Sequence, residues 1–295
     1  YGYSFLIFFS FVPLLWLENQ LRSSSWKVFG YTYLSMLIWN SITTWWIGYS
    51  SVFGMFFALL VNSLLMTIVF LLYHKVSRKL PKKIAFVFLP AIWISFEKFH
   101  LIWDFSWPWL NLGNVFSETT SWIQWYEYTG VFGGSLWIWI VNLILFNAIV
   151  RYTNRRNFII KISTTLVFIA IPISISLAIL QKTTIERNTP IEIAVLQPNV
   201  DPYTEKYSQN NLQSFQKTKE LLASTAIDTL DLLVAPETYF AEGAGEYLPE
   251  FKSSELYESI ADWISNYPKA QFVYGIQFYK TYSSEATKTA TSNLI

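Results

Sequence analysis

The sequence predicts a polytopic α-helical membrane domain over residues 1–180, followed by a water-facing α/β domain over residues 190–295. Three observations lead there. Hydrophobic residues make up 53% and charged residues 14% of the 295, against the roughly 25% charged residues of an ordinary soluble domain. The charges are segregated: residues 1–73 hold only Glu18, Arg22 and Lys27, whereas residues 181–295 carry an acidic or basic group every few positions. Finally, short β-rich runs alternate with helical stretches in the last third of the chain.

A membrane crossing takes about 20 mostly apolar residues. Segments 3–17, 28–49, 51–73, 84–103, 122–150 and 158–180 answer to that, giving about six spans. Their apolar residues run all the way round, which argues against the one-sided helices of a large soluble protein. Trp45, Trp46, Tyr49, Trp103, Trp107 and Trp109 cluster near span ends, where amphipathic rings favour the headgroup level. The first segment is short, the chain opens at Tyr1-Gly2-Tyr3, and it stops at Asn293-Leu294-Ile295 in strand-like sequence. The sequence is therefore expected to be a piece of a longer protein.

Lys and Arg set the orientation. The stretch His74 to Lys83 is strongly basic, as is the loop from Arg151 to Lys161, and Arg22 and Lys27 occupy a third connection. These are separated by pairs of spans, so all three fall on one side, which the positive-inside rule makes cytoplasmic. His74, within the basic stretch, is expected to be solvated. The loop 104–121 and everything after residue 181 then lie on the opposite side.

In the second domain, 191–196, 231–235 and 271–276 read as strands, and 209–227 and 252–266 as helices. The β-α-β-α-β order predicts an α/β sheet. A turn is expected at Asp201-Pro202. The net charge of +1 and the lack of a basic stripe exclude an obvious nucleic-acid surface. No cysteine is present, so no disulfide, thiolate metal site or cysteine nucleophile exists within these residues. The two distant histidines make no metal site.

Three features can carry chemistry. Glu237 follows strand 231–235 in Ala235-Pro236-Glu237-Thr238. Ligand sites in open α/β sheets lie beyond the carboxyl ends of strands, where a partly desolvated carboxylate can act as a general base. A loop glutamate in water is the alternative. Gln197-Pro198-Asn199-Val200, with Lys206-Tyr207 after it, follows the first strand and can border the same mouth, or be an ordinary loop. Trp107-Pro108-Trp109, in the outer loop, can hold a lipid chain, dock the soluble domain, or simply anchor at the interface. Glu127, flanked by apolar sequence, is a further candidate. Gly130 to Gly134 does not follow a strand and is read as a kink or helix-packing element. Tyr239 to Glu246 reads as a mobile loop that can serve as a lid.

Taken together and in this order, the motifs resemble the apolipoprotein N-acyltransferase family. The outer-loop run Trp107 to Gly113 and the stretch Trp122 to Gly134 are similar to the family's membrane motifs. Val195-Leu196-Gln197-Pro198-Asn199 and Ala235-Pro236-Glu237-Thr238 are similar to the turn and the glutamate motif of its nitrilase-like domain. The resemblance implies an eight-span fold with an extracytoplasmic nitrilase-like (CN hydrolase) domain, an α-β-β-α sandwich, of which residues 190–295 are the first part. It also implies location in the bacterial inner membrane with that domain in the periplasm. The implied reaction moves a fatty acyl chain from a phospholipid to the amino group of a diacylglyceryl-cysteine on an apolipoprotein, through a thioester, with no cofactor. By the same resemblance Glu237 is the general base, and Tyr207, Trp107, Pro108, Trp109 and Glu127 contact substrate. The family's Lys and Cys are expected beyond Ile295, so residues 1–295 alone are expected to be inactive. Ala235 stands where the family often has Trp, Tyr207 where a Trp is frequent, and Pro198 where Gly is common. The alternatives are a membrane-tethered nitrilase-type amidase and a non-enzymatic scaffold or transporter. A transporter should pair charges inside its spans, and the spans read as carrying almost none.

Overall fold

Residues 2–150, 152, 154–182, 190–201, 205–223 and 230–281 are described by a computed structural model of the protein. The chain forms two compact units, Tyr1–Ile185 and Glu186–Ile295.

The first unit is helical: α1 Ile7–Ser10, α2 Val12–Gln20, α3 Ser25–Thr44, α4 Val52–Lys79, α5 Lys82–His100, α6 Tyr126–Val150 and α7 Arg155–Lys182. Among the described residues α4, α6 and α7 are long and apolar enough to cross a membrane, and Ser4–Gln20 is a shorter apolar stretch. α3 and α5 occupy the predicted segments 28–49 and 84–103. Tyr, Thr and Asn dilute the apolar character of α3, as Lys82, Lys83, Glu97 and Lys98 do that of α5. Segment 28–49 ends in a 3-10 turn, Trp45–Tyr49, and segment 122–150 becomes helical at Tyr126. Arg151 and Thr153, in the basic loop, lie outside the described residues.

α6 is the central helix. In its most apolar window 61% of the residues are buried in the protein, against 11% for α7. The exposed Leu166, Val167, Ile171 and Ile175 of α7 leave the bilayer to solvate that helix. Aromatic rings fill the core: Phe11 lies 4.4 Å from Trp139, and Trp93 5.2 Å from Trp139. Asn142 of α6 accepts from the Phe11 N–H at 3.0 Å and donates to the Ile7 carbonyl at 2.9 Å. It thus satisfies backbone groups freed where α1 breaks into α2, as a membrane interior requires. Gly130, with φ 64° and ψ −173°, kinks the start of α6 as its sequence suggested.

Two expectations are corrected here. The basic stretch His74 to Lys83 is no open loop: α4 runs to Lys79 and α5 opens at Lys82, with Arg78 and Lys79 in the last turn, where the helix dipole favours cations. Nor is His74 solvated. It is fully buried, with Nδ1 2.8 Å from Glu18 Oε1 and Nε2 3.1 Å from Ser25 Oγ. Glu18 is also buried and accepts from Ser77 Oγ at 2.7 Å. The first unit therefore contains a buried, hydrogen-bonded Glu–His pair, joining α2 to α4.

The second unit contains β1 Ile193–Val195, α8 Asn211–Leu222, β2 Leu232–Val234, β3 Glu246–Tyr247, α9 Glu255–Ser265, β4 Gln271–Val273 and β5 Phe278–Tyr279. The predicted strand and helix order is present, with shorter elements; residues 202–204 and 224–229, including part of the expected turn and helix, lie outside the described residues. So do residues 282–295. β1, β2 and β4 form a parallel sheet in that order, with Ile193, Leu232 and Gln271 in one row and Val195, Val234 and Val273 in another. β3 and β5 form a second parallel pair. Ala194, Leu233 and Phe272 share the face that packs with Phe215 of α8 and Leu256 and Trp263 of α9. Asn210 caps α8 by accepting from the Leu212 N–H at 2.8 Å, which fixes where that helix starts beside the sheet.

Candidate active site

The backbone turns sharply at the carboxyl ends of β1 and β2, and both turns are unusual. Asn199 has φ 52° and Thr238 φ 48°. Asn enters this left-handed region readily; a β-branched Thr does so at a cost of about 1–3 kcal/mol. A third segment, the one after β4, presses against the Thr238 turn. A Cβ on Gly275 would stand 2.4 Å from the Thr238 nitrogen and 2.6 Å from the Pro236 carbonyl oxygen. Only a glycine lets these strands close up in this way.

Between the turns lies a pocket of about 260 Å³. Gln197, Pro198, Asn199 and Val200 form one wall and Pro236, Glu237 and Thr238 another. Lys206 and, from α8, Ser214 and Lys217 complete it. The two sequence motifs are therefore brought together at one mouth. Lys206 donates to the Glu237 carbonyl oxygen at 3.4 Å and not to its carboxylate. Glu237 itself is exposed, the water-facing one of the two surroundings that its place in the sequence allows. Tyr207 is 52% exposed and lies beside Lys206, outside the pocket lining.

Tyr239 forms the inner wall. Its hydroxyl donates to the Ser214 carbonyl at 2.8 Å, and the Thr218 hydroxyl lies 3.0 Å away. Burial pushes the Tyr239 phenol up from its ordinary value, so near neutrality it stays protonated and serves as a strut. The lid reading of residues 239–246 is corrected by the same contacts. Tyr239, Phe240 and Ala241 are core residues. Glu242 accepts from the Asn211 N–H at 2.9 Å at the start of α8, Asn211 Nδ2 donates to Glu246 at 2.7 Å, and the Gly243 N–H donates to the Tyr207 carbonyl at 3.1 Å. The segment is tied down at both ends. Its apolar start was visible as Tyr-Phe-Ala; the glycines further on masked it.

A carboxylate, two ammonium groups and several amide and hydroxyl groups on one pocket can accept a proton and stabilise a developing negative oxygen. Among the described residues no group of three or more His, Cys, Asp or Glu is placed to hold a metal ion. Ser214, Lys217 and Gly275 were not singled out in the sequence; the first two needed the facing side of α8, and the third the pairing of β4 with β2.

Gly275→Ala tests the geometry. The added methyl meets backbone atoms that cannot swing aside, so a loss of about 1–3 kcal/mol is expected, read as a lower unfolding midpoint, with displacement of the Glu237 turn. An unchanged midpoint would show that the strands do not close up as described.

The remaining candidates lie in the first unit. Trp107 and Trp109 are edge-to-face at 5.0 Å, and Trp109 also meets Trp46 at 5.7 Å. Pro108 opens the 3-10 turn Pro108–Leu110. The far end of this loop is fixed from three sides. Leu112 N–H donates to buried Glu97 at 2.8 Å, Gly113 N–H to Ser135 at 3.1 Å, and Tyr126 O–H to the Gly113 carbonyl at 2.9 Å. The sequence carries no signal for the burial of Glu97, which stands next to a charged Lys98 near the end of α5. Glu127 is exposed in the first turn of α6, and among the described residues its carboxylate makes no hydrogen bond to the tryptophan loop.

Comparison with known proteins bears on both units. Residues 1–144 match the family described as apolipoprotein N-acyltransferase N-terminal domain. The chain is 26% identical over 239 residues to the apolipoprotein N-acyltransferase of Chlorobaculum tepidum, covering 79% of this chain and 44% of that protein. It is 26% identical over 154 residues to the protein of the same name from Geobacter metallireducens, covering 50% of this chain and 29% of that one. The chain thus spans less than half the length of these relatives, and the longer match reaches past the membrane unit.

Proposed function

We propose, from the match of residues 1–144 to the apolipoprotein N-acyltransferase N-terminal domain, that the protein transfers a fatty acyl chain from a phospholipid to the N-terminal amine of a diacylglyceryl-cysteine in an apolipoprotein. The observation that carries the reading is the pocket at the carboxyl ends of β1 and β2, with Glu237 on its wall, in a chain that opens with membrane helices.

The reaction runs in two steps. A thiolate attacks the phospholipid ester carbonyl; the C–O bond breaks, a lysophospholipid leaves and a thioester forms. The substrate amine then attacks the thioester, the C–S bond breaks, and the amide forms. Glu237 takes the thiol proton and returns it to the leaving lysophospholipid oxygen in the first step, then takes the amine proton and returns it to the leaving thiolate in the second. An ammonium group holds the tetrahedral oxyanion. The sequence has no cysteine, so in this reading the thiol, with its companion lysine, lies outside residues 1–295. Tyr207, Trp107, Pro108, Trp109 and Glu127 belong to substrate contacts.

The second unit is read as part of a nitrilase-like α-β-β-α sandwich. One sheet face is covered by α8 and α9. On the other, Ile193, Val195 and Val273 are 55%, 71% and 52% exposed. Such a contiguous apolar face calls for another protein layer, and a second sheet supplies it. The protein is placed in the bacterial inner membrane, about six of its spans within 3–180, with residues 190–295 on the periplasmic side, in keeping with the positive-inside rule.

Phosphatidylethanolamine and a diacylated lipopeptide, given to the active protein, are expected to yield a triacylated product by mass. A product formed without lipid from a small amide would instead favour an amidase. Orientation has its own test. Ser208, exposed in the second unit, changed to Cys, is expected to react with an impermeant thiol reagent in cells whose outer membrane alone is opened. Labelling only after the inner membrane is broken would reverse the assignment.

A further inference from the structure

Trp107 and Trp109 stand on a short loop whose two ends return to one turn of α5. At the near end the Trp107 N–H donates to the His100 carbonyl at 3.0 Å. At the far end the Leu112 N–H donates to Oε1 of Glu97 at 2.8 Å. Glu97 and His100 are three positions apart, so both ends are tied to neighbouring sites on a single helix. Across the loop, Asn114 Nδ2 donates to the Pro108 carbonyl at 3.0 Å.

The tie at His100 is made by backbone and survives a change of side chain. The tie at Glu97 depends on a side chain, and on one that is costly to bury. Glu97 is 3% exposed and Leu112 2%. The same Oε1 accepts from the Trp93 indole at 3.1 Å. Trp93 is fully buried, its ring 5.6 Å from Phe11 and 5.2 Å from Trp139. Glu97 therefore joins the loop to the aromatic core. The next residue is held differently. A Cβ on Gly113 would overlap the Val131 carbonyl of α6, and the Gly113 N–H and carbonyl bond to Ser135 and Tyr126 of that helix. Those contacts fix Gly113 against α6. Glu97 fixes Leu112, and with it the tryptophan side of the loop, against α5.

We propose that Glu97 is a positioning residue, which holds the loop 107–112 so that Trp107 and Trp109 meet the acyl chains of the substrate in one fixed arrangement. The proposal rests on the reading that these tryptophans contact substrate, and adds the group that acts through them. Glu97, buried behind the loop, touches no substrate itself.

Hydrogen exchange and acyl-transfer kinetics on variants of the active protein test this. Glu97→Ala leaves the buried Leu112 N–H without its acceptor. Exchange in the peptide holding 107–113 is expected to quicken about tenfold or more, the effect of losing one hydrogen bond to a carboxyl group, while peptides of α4 keep their rate. KM for the diacylated lipopeptide is expected to rise severalfold with kcat unchanged, because the lost contact serves ground and transition states alike. Glu97→Gln keeps an acceptor oxygen and should restore both. Glu97→Asp draws the oxygen back by one methylene and should move both in the direction of Glu97→Ala, which keeps the test open if that variant does not fold. Glu18→Ala removes a different buried contact of the same unit and should leave KM alone. Unchanged exchange in 107–113 in a folded Glu97→Ala or Glu97→Asp variant would overturn the proposal. So would an unchanged KM where Trp109→Ala raises it. If Trp109→Ala leaves KM unchanged as well, the substrate-contact reading falls and takes the proposal with it.

Discussion

Glu237→Gln is expected to lower acyl transfer by about 10²–10⁴-fold, the usual worth of a positioned general base. The substitution keeps shape and removes only the capacity to take a proton. It should leave the fold alone. Glu237 is exposed, and the contact that fixes its place runs from Lys206 to its backbone carbonyl, which Gln retains. Surface changes of this kind usually stay within about 0.5 kcal/mol. Rate and unfolding midpoint are measured together on the active protein, with the triacylated lipopeptide as product. Unaltered product formation by a folded Glu237→Gln variant would remove Glu237 from the base role. Glu242→Gln provides the contrast. That carboxylate accepts from the Asn211 N–H at the start of α8, so its loss is expected mainly to lower stability.

The exposure of Glu237 in the described chain fits the uncovered sheet face in the same unit. A general base works best near its operating pH, which for a carboxylate needs partial removal from water. A further layer over Ile193, Val195 and Val273 would change the surroundings of the neighbouring turns as well. The base in the proposed mechanism therefore depends on packing that residues 190–281 do not supply by themselves.

What the sequence made legible follows from the range of the interactions involved. Hydropathy over some 20 residues places the helices because a span is set by local composition. The Gln197 and Glu237 motifs meet because each ends a parallel strand, and parallel strands end on the same edge. The Gly275 contact was not legible: it joins the end of β4 to a turn 37 or so positions earlier, and only the register Val234 to Val273 reveals it. The burial of Tyr239 to Ala241 was hidden because the segment has no regular period, its fixed position coming from Asn211 and Tyr207. His74 misled for the opposite reason. Its neighbours Lys75 and Lys79 describe the exposed side of a helix, and His74 sits off that side.

That buried histidine carries the largest stability effect expected in the membrane unit. Removing one partner of a buried hydrogen-bonded pair costs about 1–3 kcal/mol, because the other group stays buried without its hydrogen bond. Glu18→Ala leaves His74 Nδ1 without the oxygen now 2.8 Å away, and it also strips Ser77 Oγ of an acceptor at 2.7 Å. His74→Ala leaves Glu18 with Ser77 alone. Each single variant is therefore expected to lose stability in that range, while the double variant loses clearly less than the sum. Glu18→Met with His74→Leu, which refills the volume with apolar atoms, is expected to come close to the unaltered protein. The measurement is unfolding of the purified protein in mixed micelles, across all four members of the cycle. Strict additivity would mean that the two side chains do not act on each other. A coupled result would make the pair the link that fixes α2 against α4, joining two helices whose contact the apolar pattern alone leaves free to slide.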